Sequence, residues 1–229
     1  MKELDLGVKW FNVDFYPKTY VCRAARYEDG VLPRLREKKI TLFTPWGPRY
    51  SWEKRGTVIH VEDKEIEVLE FLAKIFSEMK KNMPNKDFRW IFFGADLYGT
   101  KVNNLPNEMV DNYFAGLAKW LPQILPEAEL KLWSSFNDIA ENYRQKVATD
   151  FRKYVSPNLL LAASKTANAM GRDSDPKNYI IERIAEAMLI EETLHPIKVS
   201  CVGRHKDEHV DWQLPRIYLL PENLWAPWM

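Results

Sequence analysis

The chain has 229 residues, 46% apolar and 28% charged, with nine Trp, ten Tyr, eleven Phe and a formal net charge of +1. Those proportions fit a globular protein long enough for one sizeable core, and they exclude collagen-like, low-complexity and strongly polyionic classes. With no apolar run of about eighteen residues and no signal-peptide core, a cytoplasmic protein without membrane partners is expected, and Cys22 and Cys201 are too few for a disulfide framework or a four-cysteine zinc site.

Residues 6–28 contain two alternating runs, VKWFNVDF and TYVCRAARY, separated by Pro17 and closed by Asp29-Gly30. They predict an N-terminal hairpin or extended arm within a basic extension over residues 1–37. Basic charge gathers here: residues 1–56 hold twelve Lys/Arg against seven Asp/Glu, the remainder twenty-one against twenty-five. KKITLFTPWGPRYSW then reads as a buried strand from Ile40 to Phe43 entering a loop with two prolines and a glycine. Loops of this kind, at the carboxyl edge of a sheet, are where α/β proteins place ligands. Thr44, Tyr50 and Ser51 supply hydroxyls, Trp46 and Tyr50 can wall a pocket, and Arg49 can meet a phosphate. Lys38, Lys39, Arg49, Lys54 and Arg55 flank the loop and would steer a polyanion to it.

Asp63 caps a predicted helix whose Ile66, Leu69, Leu72, Ile75 and Met79 recur at helical spacing to about Asn82. FRWIFFG is a continuous apolar run of strand length, as suits a parallel strand covered on both faces, so Asp96, Tyr98 and Asn103 follow a second strand end. Residues 107–121 form an amphipathic helix, ELKLWSSFN a third strand, and 141–155 and 157–170 two helices split by Ser156-Pro157. Asp175 and Pro176 signal another helix start. That helix runs to about Glu192, with Ile180, Ile184, Ala187 and Met188 on its packing face. Glu191 continues one apolar stripe, and the adjacent one leads to Glu192 and His195. Two carboxylates at the negative end of a helix dipole are poorly placed unless they serve chemistry or are solvated. IKVSCVG is a fourth strand and PRIYLLPE a fifth. The order predicts a single doubly wound Rossmann-like domain with a mainly parallel sheet and helices on both faces.

No GxGxxG, GxxxxGK[ST] or GxSxG motif is present, so no nucleotide cofactor or hydrolase elbow is expected. His205 and His209 are four apart, the spacing of helical metal ligands, and leave a metal-dependent hydrolase as one alternative class.

The series IFFGADLYGTKVN, LKLWSSFND and a long helix ending in MLIEE before IKVSCVG resembles the catalytic domain of class I tyrosyl- and tryptophanyl-tRNA synthetases. GADLYG matches the segment lining their amino-acid pocket, and Ala187 to Glu191 the helical segment that supplies further side chains. HIGH-like and KMSKS-like signatures are absent, which shifts the resemblance to the cyclodipeptide synthases, which share that domain and lack those signatures. Their loop pattern is met in part by Gly47, Tyr50 and Ser51, and the nucleophile position falls near Thr44 or Pro45. The resemblance implies a tRNA-dependent acyltransferase that makes a cyclodipeptide through a covalent aminoacyl-enzyme, with no cofactor. Ser51, Thr44, Tyr50 and Glu191 would be catalytic. Trp46, Gly47, Asp96, Tyr98, Asn103, Glu192 and His195 would bind substrate, and Lys38, Lys39, Arg49, Lys54 and Arg55 the tRNA. A non-catalytic synthetase paralogue that binds tRNA or an amino acid is the other alternative.

Overall fold

The computed structural model describes residues 20–25, 27–47, 61, 63–102, 105–161, 164, 175–200 and 214–221. In chain order it forms β1 (Tyr20–Ala25), a single π turn (Tyr27–Val31), α1 (Leu32–Arg36), β2 (Lys39–Trp46), α2 (Asp63–Asn82), β3 (Asp87–Gly94), α3 (Asn107–Ile124) and β4 (Ala128–Leu132). A 3-10 turn (Trp133–Phe136) leads to α4 (Asn137–Thr149), the short α5 (Phe151–Tyr154), α6 (Pro176–Leu194), β5 (Ile197–Ser200) and β6 (Arg216–Pro221).

The strands make one six-stranded sheet in the order β1-β6-β5-β2-β3-β4. β2 to β6 are mutually parallel, and β1 runs antiparallel to β6 at one edge. This is the doubly wound α/β fold that the alternation of apolar strands and amphipathic helices predicts. Its strands dictate two layers. Along β2, Ile40, Leu42 and Trp46 enter a core with α2 and α3, including Leu69, Leu72, Tyr113 and Leu117. Phe43 points the other way and packs with Phe93, Trp133, Ala187 and Ile190 beneath α6. Alternation along a pleated strand is sufficient to divide the residues in this way.

Two elements differ from expectation, and a third has a partner that was not foreseen. Tyr20–Ala25 of the second N-terminal run pairs in register with β6, Cys22 opposite Leu219, while the VKWFNVDF run lies outside the described residues. Alternation defines a strand but not its partner, and the far edge of a sheet is an available one. The third strand stops at Leu132, where the Ser134 backbone N–H donates to Asp96 Oδ1 at 3.0 Å and Ser135 Oγ donates to the Leu132 carbonyl at 2.6 Å. These local bonds turn WSSF out of the ladder. The helix read over 141–155 begins at Asn137 and is interrupted at Asp150. Of the helix read over 157–170, residues 157–161 and 164 are helical and the remainder lie outside the described residues, as does most of the VIHV run.

Gly94 ends β3 where α3 closes over the sheet. A Cβ there would stand 2.6 Å from Phe114 Cε1 and 2.7 Å from Leu132 Cδ2, so only glycine permits this approach.

Candidate functional site

In the parallel part of the sheet, β2 is flanked by β3 on one side and β5 on the other. The connections leave β2 and β5 in opposite directions, and the crevice above their carboxyl ends is where such sheets bind ligands. Gly47 stands at that edge beside Ala95, whose N–H donates to the Trp46 carbonyl at 2.8 Å. Asp96, through Ser134, ties the ends of β3 and β4 together at the same edge. Tyr50, Ser51, Arg49, Lys54, Arg55 and Asn103 lie outside the described residues, and of Tyr98 only the backbone is described, in the π turn Tyr98–Val102.

Thr44 does not present a hydroxyl to the crevice. Its side chain is 2% exposed, and its oxygen accepts a hydrogen bond from the Trp90 indole at 2.8 Å on the α2–α3 side of the sheet. Trp46 is likewise a core side chain, 3% exposed, with its ring 5.4 Å from that of Phe92. Both were expected at the site because they follow the strand in sequence; the ladder with β3 extends through Trp46, so pleat alternation turns them inward.

The carboxylates at the end of α6 occupy the opposite edge. Glu191 Oε1 forms an ion pair with Arg34 of α1, whose side chain is 6% exposed, and lies 3.3 Å from His195 Nδ1. His195 Nε2 in turn lies 3.5 Å from Glu37 Oε1. Arg34 and Glu37 immediately precede the first residue of β2, so this cluster is at the amino edge. The sequence placed Glu191 toward the carboxyl ends; the two-residue connection from α6 to β5 forces the helix antiparallel to the strands, which puts its last turn at their beginnings. Arg34 supplies the cation that a carboxylate at a helix C-terminus requires. His195 itself closes the helix in the left-handed region, at φ 45°, with its N–H donating to the Glu191 carbonyl. Glu192 diverges from Glu191 around the helix and accepts from the Tyr143 hydroxyl at 2.7 Å, a bond that is the main cause of a raised Tyr143 pKa. Lys38 and Lys39 are exposed at this amino edge, about 23 Å along β2 from Trp46 at 3.3 Å per residue.

A charged layer beneath the switch point was not foreseen. Phe43, Lys198 and Arg216 are register partners across β2, β5 and β6, so all three project toward α6. Lys198 is 1% exposed and Arg216 2%. On α6, Arg183 and Glu186 are also buried and bonded, Nη1 to Oε2 at 3.2 Å. Arg183 lies one turn and two turns before Ala187 and Ile190, which pack on Phe43 and Phe93. Because α6 runs antiparallel to the strands, Glu186 and Arg183 stand about 7 and 12 Å closer to the carboxyl edge than Glu191. The rings of Phe43, Phe93, Trp133 and Phe136, with neighbouring centroids 5.4–5.8 Å apart, floor this side of the sheet, and Arg144 lies over Trp133 at 5.7 Å. Sequence offered a signal for these groups: Lys198 interrupts an apolar strand, and Arg183 and Glu186 interrupt an apolar helix.

No family model matches the sequence, and a sequence search of curated proteins finds no match. Solved structures do match it in fold. A tyrosyl-tRNA synthetase from Archaeoglobus fulgidus, complexed with L-tyrosine, is similar with a TM-score of 0.61 at 10% identity, over 96% of this chain and 63% of that chain. The PvcA protein from Pseudomonas aeruginosa gives 0.58 at 14% identity, over 89% and 79%. A cyclodipeptide synthase from Fluoribacter dumoffii gives 0.54 at 14% identity, over 88% of this chain and 97% of that chain. This chain therefore spans less than two thirds of the synthetase and almost the whole of the cyclodipeptide synthase. The fold is the synthetase-like Rossmann fold that these proteins share.

Proposed function

We propose that this chain is a tRNA-dependent acyltransferase that joins the aminoacyl groups of two aminoacyl-tRNAs into a cyclodipeptide. The observation that carries the reading is the fold match over 97% of a cyclodipeptide synthase, on a chain whose first crossover loop has no nucleotide-binding signature. Aminoacyl esters arrive already activated, so no nucleotide is needed. A hydroxyl oxygen attacks the ester carbonyl of the first aminoacyl-tRNA, the bond to the ribose oxygen breaks, and the tRNA leaves carrying the proton. The α-amine of the bound aminoacyl group then attacks the second ester, releasing the second tRNA, and the new amine closes on the enzyme ester to free the hydroxyl. Such a route requires a nucleophile, a base for each amine proton, and donors facing each oxyanion.

Ser51 is the proposed nucleophile, with Tyr50 beside it, because the Thr44 oxygen is enclosed by Trp90. Glu186 is the proposed base, since among the described carboxylates of α6 it is the buried one, and it neighbours Ala187, which packs with Phe43 and Phe93. Arg183 holds it. Asp96, Tyr98 and Asn103 are proposed to line the aminoacyl pocket from the β3 end. Arg49, Lys54 and Arg55, together with Lys38 and Lys39 at the start of β2, are proposed to meet tRNA phosphates.

The test is product analysis by mass spectrometry after the chain is incubated with mixed aminoacyl-tRNAs, without ATP and with a chelator. Cyclodipeptides, and an aminoacyl adduct on the intact chain that Ser51→Ala abolishes, are expected. Tight tRNA binding without adduct or product would instead establish a binding-only paralogue, and activity lost to the chelator would favour the metal-dependent hydrolase.

A further inference from the structure

The sheet ends on β4, which among the described residues has a neighbouring strand on one side only. All five of its residues are half-buried, whereas β3 beside it is buried from Trp90 to Gly94. A strand at such an edge offers a row of unpaired backbone donors and acceptors to another strand. Its side chains divide cleanly between the two faces. Ala128, Leu130 and Leu132 lean on the core with α2 and α3, so Glu129 and Lys131 stand on the opposite face. There Arg89 of β3 meets Glu129, and Lys131 Nζ lies 5.9 Å from the centre of the Phe136 ring.

The order Ala-Glu-Leu-Lys-Leu is complementary to itself when reversed. Let a second copy of β4 lie antiparallel to the first, related by a two-fold axis perpendicular to the sheet. With the axis at Leu130, each Ala128 faces Leu132 and each Glu129 faces Lys131, so a row of alternating charge runs from Arg89 through Glu129 to Lys131 of the second copy. With the axis at Glu129 or at Lys131, like charges meet instead, which is unfavourable. Charges on an edge strand ordinarily deter pairing. Here they deter the neighbouring registers and favour the one at Leu130. Two of the three large apolar side chains exposed among the described residues add to this: Trp120 belongs to α3 and Ile139 to α4, the helices before and after β4, which cover opposite faces of the sheet. A two-fold contact along β4 sets each of these helices beside its counterpart. The geometry points to β4 as a self-association surface: two copies of this chain join their sheets antiparallel about Leu130, with Glu129 of each facing Lys131 of the other. The contact does not rest on the acyl-transfer reading.

Sedimentation of the full chain over a range of concentrations tests it. A contact of one short strand and two flanking side chains is small, so a dimer that dissociates in the micromolar range is expected. Glu129→Lys sets lysine against lysine and Lys131→Glu sets glutamate against glutamate; each alone is expected to weaken dimerisation at least about tenfold. An equimolar mixture of the two variants regains both opposite-charge pairs, and is expected to dimerise within a few fold of wild type. Mixing cannot mend a loss of the Arg89 pair or of monomer stability, so recovery reports the contact alone. A wild-type chain that stays monomeric, single variants that dimerise as wild type does, or a mixture of folded variants that fails to recover would each overturn the proposal. Should either variant not fold, amide exchange of the wild-type chain decides: protection within residues 128–132 should rise with concentration, and exchange there that is independent of concentration would overturn it.

Discussion

At the scale of single residues, burial and partner decide which of several similar side chains is available for chemistry. Glu191 and Glu186 are both glutamates of α6, five positions apart. One is pinned at the amino edge by Arg34, and the other is buried and bonded to Arg183. Substitution by glutamine keeps the shape and removes the base, so the two variants should fail differently. Glu186→Gln is expected to lower turnover by about 10²-fold or more. Glu191→Gln weakens a part-buried ion pair, and is expected to cost on the order of 1–2 kcal/mol in denaturant unfolding with turnover within a few fold of wild type. Single-turnover kinetics alongside urea titration check both. Equal kinetic losses would return the base to an open question.

At the scale of elements, the open edge of the sheet is tied by charge as well as by the ladder. Arg89 on β3 meets Glu129 on β4 through two bonds, Nε to Oε1 at 2.5 Å and Nη2 to Oε2 at 2.7 Å. The hydrogen bond from Arg89 holds the Glu129 carboxyl below its ordinary value of 4.5. A group whose folded pKa is depressed contributes stability above its unfolded pKa and loses it as the pH falls through the folded value. Both side chains are 43% exposed, so screening limits the contribution to about 1 kcal/mol or less. Glu129→Gln should therefore be slightly less stable than wild type at pH 7, and the gap should close as the pH drops below 4.5. A gap that persists in acid, measured by chemical unfolding at each pH, would assign the loss to packing.

At the scale of the whole molecule, strands from near the two ends of the chain finish the sheet together. β1 covers the free side of β6 along six register pairs, from Tyr20 with Pro221 to Ala25 with Arg216. Without it, β6 would present an unpaired row of backbone donors and acceptors. Deleting residues 1–26 is expected to give concentration-dependent association in light scattering, where the full chain at the same concentrations gives less. A deleted chain with unchanged association would show that the edge is guarded by other means. No helix among the described residues is long and apolar enough to cross a membrane.

The sequence by itself determined the fold class and most element positions, because strand and helix periods are local: IFFG reads as a buried parallel strand, and Asp175-Pro176 as a helix start, without knowledge of any partner. It also located the carboxyl ends of the strands, hence Gly47 and Asp96 at the candidate edge. Only the tertiary structure decided which way residues at those ends face. Thr44 and Glu191 are both expected at the carboxyl edge from sequence, yet one is turned into the α2–α3 core and the other carried to the amino edge by the direction of α6. The same holds for Lys198 and Arg216, aligned by strand register, and for Tyr113 and Glu65, joined across 48 positions of chain. A period fixes a face relative to its own element, whereas a site is made where faces of different elements converge, and convergence depends on strand order and helix direction.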